Sequence, residues 1–407
     1  MFEKNIQAGK NFFGFGRNVF FAALVSFFMD LSSEMIYPLV PLFLANILGI
    51  NKSVIGLIEG IAESTASLLK VYSGWLSDRL GNRKWLMAAG YAVSTLSRPL
   101  IALAPGWHQV MGSRFMDRFG KGVRTAPRDA IIAESASHAN LGRAFGFHRA
   151  MDTMGAVIGP ALAFFCLGLF SNNYRLVFWL SVLPGLVAVL LIIFCIKEKK
   201  RDAPLAERTK LTAKHFDWRF KLFVVIAAIF ALGNSSDVFL ILRAEQVGVP
   251  ATVIPLVYLL FNLVYSLSSM PAGMAADRFG KKRIILLGFV LFAILYYGFA
   301  VASSTRTIWL LFGFYGLFMG LTEGVQKAFL STIIPSEFKA TAFGLYTMAV
   351  GLATLPASVI GGWLWDRVSP ASTFYFGAAT AGISALLFSI FIIAIINNDA
   401  RLLKKTL

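Results

Sequence analysis

The chain of 407 residues is 57% hydrophobic and only 14% charged, against about 25% charged in an ordinary soluble protein, which excludes a water-solvated globular domain. A formal net charge of +17 suggests nucleic acid at first sight, but the basic residues collect in alternate connecting loops, the pattern of membrane topology. No nucleic-acid partner is therefore expected, and Cys166 and Cys195, both in apolar segments, suggest neither a disulfide nor a metal site.

Apolar runs of about 20 residues, the length that crosses a hydrocarbon core of roughly 30 Å, recur from end to end. The first, 18–46, carries Asp30 and Glu34 and is too long for a cleavable leader, so it reads as a spanning helix. Runs at 53–76, 84–104, 108–129, 142–170 and 174–196 follow. A polar stretch rich in Lys and Arg then divides the chain, and runs at 220–245, 251–275, 284–304, 307–334, 341–364 and 371–396 complete it. The expected fold is an all-α integral membrane protein of 12 transmembrane helices: a six-helix bundle over 1–196, a cytoplasmic linker over 197–219 and a second six-helix bundle over 220–407.

Loop charge sets the orientation. Lys4, Lys10 and Arg17 precede the first span, Arg79, Arg83 and Lys84 follow the second, and the central stretch and the tail (Arg401, Lys404, Lys405) are basic. The opposite loops hold roughly one basic residue apiece, which places both termini in the cytoplasm.

The two halves repeat one another. Gly74-Trp-Leu-Ser-Asp78-Arg79-Leu-Gly81-Asn-Arg83-Lys84 returns as Gly273-Met-Ala-Ala-Asp277-Arg278-Phe-Gly280-Lys-Lys282-Arg283, shifted by 199 residues. Leu48-Gly49-Ile50 matches Val247-Gly248-Val249 at the same shift, and Ser32-Ser33-Glu34 echoes Ser235-Ser236-Asp237. Parallel repeats of several spans each fit a transporter that rocks one bundle against the other.

With both copies of that loop in place, the chain resembles the major facilitator superfamily, whose signature between its second and third helices has the form G-x-L-x-D-R-x-G-R/K-R/K. The resemblance covers essentially the whole chain. It implies that Gly74, Asp78, Arg79 and Gly81, with Gly273, Asp277, Arg278 and Gly280, form conformational-switch loops, Asp78 bridging to the partner half near the helix start at Thr341. Charges that merely anchor a tight cytoplasmic turn would leave the same pattern. Gly146, Gly155 and Gly159-Pro160 in the fifth span resemble the antiporter motif of exporter branches, departing from it where Ala163-Phe164 replaces a pair of small residues. Physically, glycines at these positions admit a neighbouring helix, and Pro160 frees one backbone carbonyl; generic glycine packing would use the same residues.

Charges within the spans carry the chemistry. Each costs about 2.5–3.5 kcal/mol at mid-bilayer, so each must face a watery cavity or a partner. Ser26, Asp30, Ser33, Glu34 and Tyr37 form one stripe of the first span, and Glu59, Glu63 and Lys70 lie on the second. Arg114, Asp117, Arg118, Lys121, Arg124 and Arg128 line the fourth, His148, Arg149 and Asp152 the fifth, Asp237 the seventh, and Glu323 with Lys327 the tenth. Asp30, Glu34, Glu63, Arg114, Asp117, Arg118, His148, Asp152, Asp237 and Glu323 are the candidate proton-coupling and substrate-cavity residues, since carboxyls facing an arginine column suit proton-coupled transport. Structural pairing is the alternative for each. One of Arg114 and Arg118 is expected to neutralise Asp117 or Glu63, Glu59 is expected to be solvated, and Lys121, Arg124 and Arg128 are expected to snorkel to the cytoplasmic surface. Arg98 has no evident partner. The 38 Phe, 8 Trp and 11 Tyr suit lipid contact and interfacial belts, or a pocket for amphipathic drugs.

No phosphate-binding loop for ATP appears, and no nucleophile, base and orienting group stand together, so no enzyme and no cofactor are expected. The reading is a proton-driven secondary transporter of a bacterial inner membrane or plasma membrane, exporting a small molecule in exchange for H⁺ and complete as a monomer in the bilayer. An importer of a small organic anion, a divalent-metal exporter and a transport-dead ligand sensor are the alternatives.

Overall fold

A computed structural model of the chain describes residues 15–80, 82–136, 140–198, 217–334 and 339–406, with side chains described outside 74–80, 339–341 and 397–406. The described residues fold into helices: α1 (Arg17–Ile36), α2 (Val40–Leu42) with a π-helical turn at Phe43–Ile47, α3 (Lys52–Leu80), α4 (Arg83–Ala102), α5 (Trp107–Ser135), α6 (Leu141–Leu169), α7 (Tyr174–Leu180) and α8 (Val182–Cys195). After the central stretch come α9 (Trp218–Gly233), α10 (Val238–Gln246), α11 (Ile254–Phe279), α12 (Lys281–Val301), α13 (Thr305–Leu330), α14 (Lys339–Arg367) and α15 (Pro370–Thr406).

Nine helices among the described residues are long and apolar enough to cross a membrane. The long helices α3, α4 and α5 are not among these nine. They bear the charges singled out above, Glu59, Glu63 and Lys70, then Arg98, then the six ionisable residues from Arg114 to Arg128.

Three expected spans are broken helices. The first stops at Ile36, because Pro38 and Pro41 have no N–H to continue the ladder, and resumes through α2 and the π-helical turn. The seventh breaks between α9 and α10 at Asn234-Ser235-Ser236-Asp237, residues whose side chains compete for backbone hydrogen bonds. The sixth breaks at Ser181, whose hydroxyl donates to the Phe178 carbonyl at 2.7 Å while its own carbonyl accepts from Ser32 Oγ at 2.6 Å. The first and seventh spans then end alike, turning through left-handed glycines at repeat-equivalent positions, Gly49 at φ +64° and Gly248 at φ +104°.

Contacts gather the chain into two compact units, Met1–Leu39 with Leu69–Arg208 and Val40–Leu68 with Thr209–Leu407. In the first, α1 packs on α6 and α8, and α4 on α5 and α8. Its apolar core runs through Val19, Val25, Met29, Met87, Tyr91, Ile132 and Ile192.

In the second unit, α11 packs on α13, α12 on α13 and α15, and α9 on α14 and α15. Its core is aromatic: Phe230 stacks on Phe289 at 4.4 Å and Phe292 on Tyr296 at 3.9 Å, with Phe299, Phe312 and Phe374 buried beside them. Much of the phenylalanine expected at the lipid surface is thus interior, where edge and face contacts between rings add to area burial.

Candidate functional site

Two groups of charged residues occupy the first unit. The first surrounds Asp117 of α5. Arg98 of α4, completely buried, spends all five guanidinium donors there: Nη1 donates to Asp117 Oδ1 at 2.8 Å and Ser97 Oγ at 3.1 Å, Nε to Ser32 Oγ at 3.1 Å, and Nη2 to Ser33 Oγ at 2.7 Å and Met29 Sδ at 3.7 Å. Arg114 and Arg118 approach the other carboxylate oxygen at 3.8 and 3.7 Å, and both guanidinia lie over the Tyr37 ring at 5.6 and 5.8 Å. Arg114 and Arg118 thus pair with Asp117 as expected, and Arg98 joins them with a hydrogen-bonded contact at 2.8 Å, which supplies the missing account of that residue.

The second group lies between α1, α5 and α6. Asp30 and Asp152 are neighbours across the α1–α6 contact, with Glu34 and Lys121 also near enough to act on Asp30 electrostatically. Glu34 in turn feels Lys121, Arg118, Asp152 and Arg114, and its Oε2 is buried with no hydrogen-bond partner among the described residues. Arg149 holds Asp152 at 3.3 Å. His148 Nε2 and Ser26 Oγ are 2.7 Å apart, and Arg128 reaches the same hydroxyl at 3.4 Å while pairing with Asp129 at 2.9 Å.

Two basic residues expected at the surface are inside. Arg124 is 4% exposed, stacked over the Tyr91 ring at 4.4 Å, and its Nε and Nη1 find no hydrogen-bond partner among the described residues. Arg128 is largely covered, as its bonds to Ser26 and Asp129 require. Snorkelling fails because α5 turns this face toward α1 and α4, not toward lipid.

The glycines of the fifth span explain how α1 and α6 come so close. A Cβ at Gly155 would lie 3.0 Å from Leu31 N and 3.2 Å from Asp30 Cβ, and one at Gly159 would lie 2.9 Å from Glu34 Cβ and 3.0 Å from Met35 N. Gly146 does not share this role, since a Cβ there meets nothing within 4 Å among the described residues. Pro160 is buried one residue beyond Gly159 within α6. Gly155→Val and Gly159→Val are expected to destabilise the purified protein by about 1–3 kcal/mol through overpacking, with Gly146→Ala within error of wild type; thermal unfolding in detergent reads the difference.

The second unit holds the remaining candidates. Tyr315 donates to Asp237 Oδ1 at 2.7 Å, and Glu63 of α3 lies near enough to act on Asp237. Glu323 accepts from Tyr265 and pairs with Lys327 at 3.2 Å, one turn along α13. Glu59, expected to be solvated, is 1% exposed. The tyrosine partners escaped the sequence reading because an aromatic in an apolar helix carries no sign of which carboxylate its hydroxyl will meet.

In the second loop motif, Gly280 turns the chain at φ +95° and Asp277 pairs with Lys281 at 2.9 Å, while Arg278 lies over Phe279 at 5.4 Å. A Cβ at Gly273 would meet nothing within 4 Å among the described residues. In the first motif, Gly74, Asp78 and Arg79 fall where side chains are outside the description, and Gly81 lies outside the described residues altogether. Among the described residues, no three His, Cys, Asp or Glu side chains group in a way that could hold a metal ion.

Known proteins are similar to this chain in sequence or in fold. A sequence model of the Major Facilitator Superfamily matches residues 22–241 and 220–404. An uncharacterized MFS-type transporter of Methanocaldococcus jannaschii is 36% identical over 392 residues, spanning 95% of this chain and 98% of that protein. A Lactococcus lactis homolog of the multi-drug resistance efflux pump PmrA is 26% identical over 408 residues, spanning 96% and 97%. Among solved structures, the nucleoside transporter NupG aligns with a TM-score of 0.79 at 13% identity, over 92% of this chain and 99% of its own. A POT family transporter in complex with a thioalcohol-conjugated peptide aligns at 0.80 with 12% identity, over 94% and 98%. At such identities the likeness concerns the fold.

Proposed function

The chain belongs to the major facilitator superfamily, and from that premise we propose that it is a proton-coupled secondary transporter exporting a small solute or drug-like molecule in exchange for H⁺. In this reading twelve helices cross a bacterial inner membrane or plasma membrane as two bundles with both termini cytoplasmic, and one chain forms the whole pathway. The observation that carries it is the interhelical carboxyl pair. Asp30 and Asp152 come from different helices, act on one another electrostatically across the α1–α6 contact, and have Glu34 and Lys121 near them. Two neighbouring carboxyls are suited to holding one proton between them, since a single proton removes their mutual repulsion. A proton arriving or leaving changes the contact between α1 and α6, which is what coupling a gradient to a conformational change demands.

Export is supported by the glycine-mediated packing of α6 on that pair and by the likeness to an efflux pump homolog. Glu34, Glu63, Asp237 and Glu323 complete the proposed charge network, and the loops at Asp78 and Asp277 are its proposed conformational switches. The arginines gathered at Asp117 favour one second reading, proton-linked uptake of a small organic anion.

Untargeted metabolite profiling of cells overexpressing the wild type or Asp30→Asn tests the proposal, with cell interior and medium compared. Export predicts a compound enriched in the medium and depleted inside with the wild type alone. Depletion from the medium with accumulation inside would replace export by uptake, and no difference would favour a ligand sensor.

A further inference from the structure

One face of α3 lies against α14 along a seam of small residues. Gly56, Gly60, Ser64 and Ser67 recur at helical spacing on α3 and meet Gly351, Thr354, Leu355 and Ser358 of α14, while Gly362 meets Lys52 and Ser53 at the start of α3. The backbones are in direct contact: a Cβ at Gly60 would lie 3.0 Å from the Leu355 carbonyl, one at Gly362 would lie 2.8 Å from Ser53 Cα, and Gly56 and Gly351 have no room for one at all. Ser64 Oγ donates to the Gly351 carbonyl at 2.7 Å.

The end of the seam is closed by Asp366. Its Oδ2 accepts from the Ser53 backbone N–H at 2.7 Å and from the Ser53 hydroxyl at 2.6 Å, and its Oδ1 from the Lys52 N–H at 3.2 Å. A carboxylate there satisfies orphan donors of α3's first turn and meets the positive end of its dipole. A second polar contact stands nearby in the chain, Asn46 Nδ2 donating to Glu245 Oε1 at 2.5 Å. These two residues are 199 apart, so each is the other's equivalent in the internal repeat.

We propose that Asp366 is a releasable latch: by capping α3 it keeps the α3–α14 seam zipped, and the transport cycle opens the seam by breaking this cap. Three features favour release over permanent bonding. The groups of the cap are exposed, so water can replace them at little cost when the helices part. Most of the residues that meet along the seam are glycine, serine or threonine, which leaves little side chain to repack when it separates. Finally, α3 is one continuous helix whose residues 52–68 count with the second unit and 69–80 with the first, so a movement of the first unit pulls on the seam through the helix itself.

The test is the rate at which a membrane-impermeant maleimide modifies Ser64→Cys in the full chain reconstituted in nanodiscs, with the native Cys166 and Cys195 followed as separate peptides. Ser64 is 5% exposed in the closed seam. Adding Asp366→Asn should accelerate modification about fivefold, and adding Ser53→Ala should accelerate it less, in proportion to the smaller loss of capping. Asp366→Glu should stay near the starting rate. Equal rates in all four proteins, each eluting as a single species, would overturn the latch. The measurement needs no substrate and no gradient, so it stands apart from the test of export.

Discussion

Asp30→Asn, Asp152→Asn and Glu34→Gln should each reduce gradient-driven transport by about 100-fold or more, the scale on which removing a positioned proton-transfer group acts, while leaving insertion and abundance in the membrane unchanged. An amide has the size of the carboxyl it replaces, but it neither takes up nor releases a proton. Gradient-driven flux should therefore fall while exchange of labelled for unlabelled substrate at equal pH persists. That division separates coupling from binding, because loss of a substrate contact alone would lower both. Gly155 and Gly159 seat this pair, so their bulky variants should lower both rates through misplacement of α1. Full gradient-driven flux in Asp30→Asn and Asp152→Asn would remove the pair from the mechanism.

Arg98→Met should cost about 3–5 kcal/mol, the range for removing one partner of a buried ion pair. The guanidinium is fully enclosed, and its loss strips Asp117 of its 2.8 Å partner and leaves the hydroxyls of Ser32, Ser33 and Ser97 without their shared donor. Arg114 and Arg118, 3.8 and 3.7 Å from Asp117, can relieve only part of this. The melting temperature and the monodisperse fraction of purified protein should both drop sharply. Arg98→Met combined with Asp117→Asn should be less damaging than the two single changes summed, since the double variant buries no uncompensated carboxylate. Strict additivity would show that the two groups do not act as a pair.

How far the sequence reveals these arrangements depends on what each one requires. The family and nine of the spans were legible because lipid demands length and apolarity of the helices it surrounds, and the Gly-Asp-Arg-Gly loop occurs in both halves. Helix breaks were written in Pro38, Pro41 and Asn234-Ser235-Ser236-Asp237, yet apolar length alone runs straight through them. The stripe of Asp30 and Glu34 on α1 was visible as helical spacing, whereas its pairing with Asp152 depends on the rotation of α6, which the glycines set only in three dimensions. Arg98 was opaque for the same reason: its partner is on the next helix, and the serines that complete its shell look like ordinary small residues. Glu59 and Arg124 were misread as surface groups because depth along a helix was taken for exposure, and the packing of neighbouring helices decides that instead.

The central claim is coupling of proton entry to solute exit, and everted membrane vesicles carrying a pH-sensitive dye test it most directly. With the lumen acidified by respiration, adding drug-like amphiphiles outside should make the lumen more alkaline as protons leave in exchange, with wild type and not with Asp30→Asn. A lumen that turns more acidic as the compound enters, or the same response from both proteins, would contradict the account.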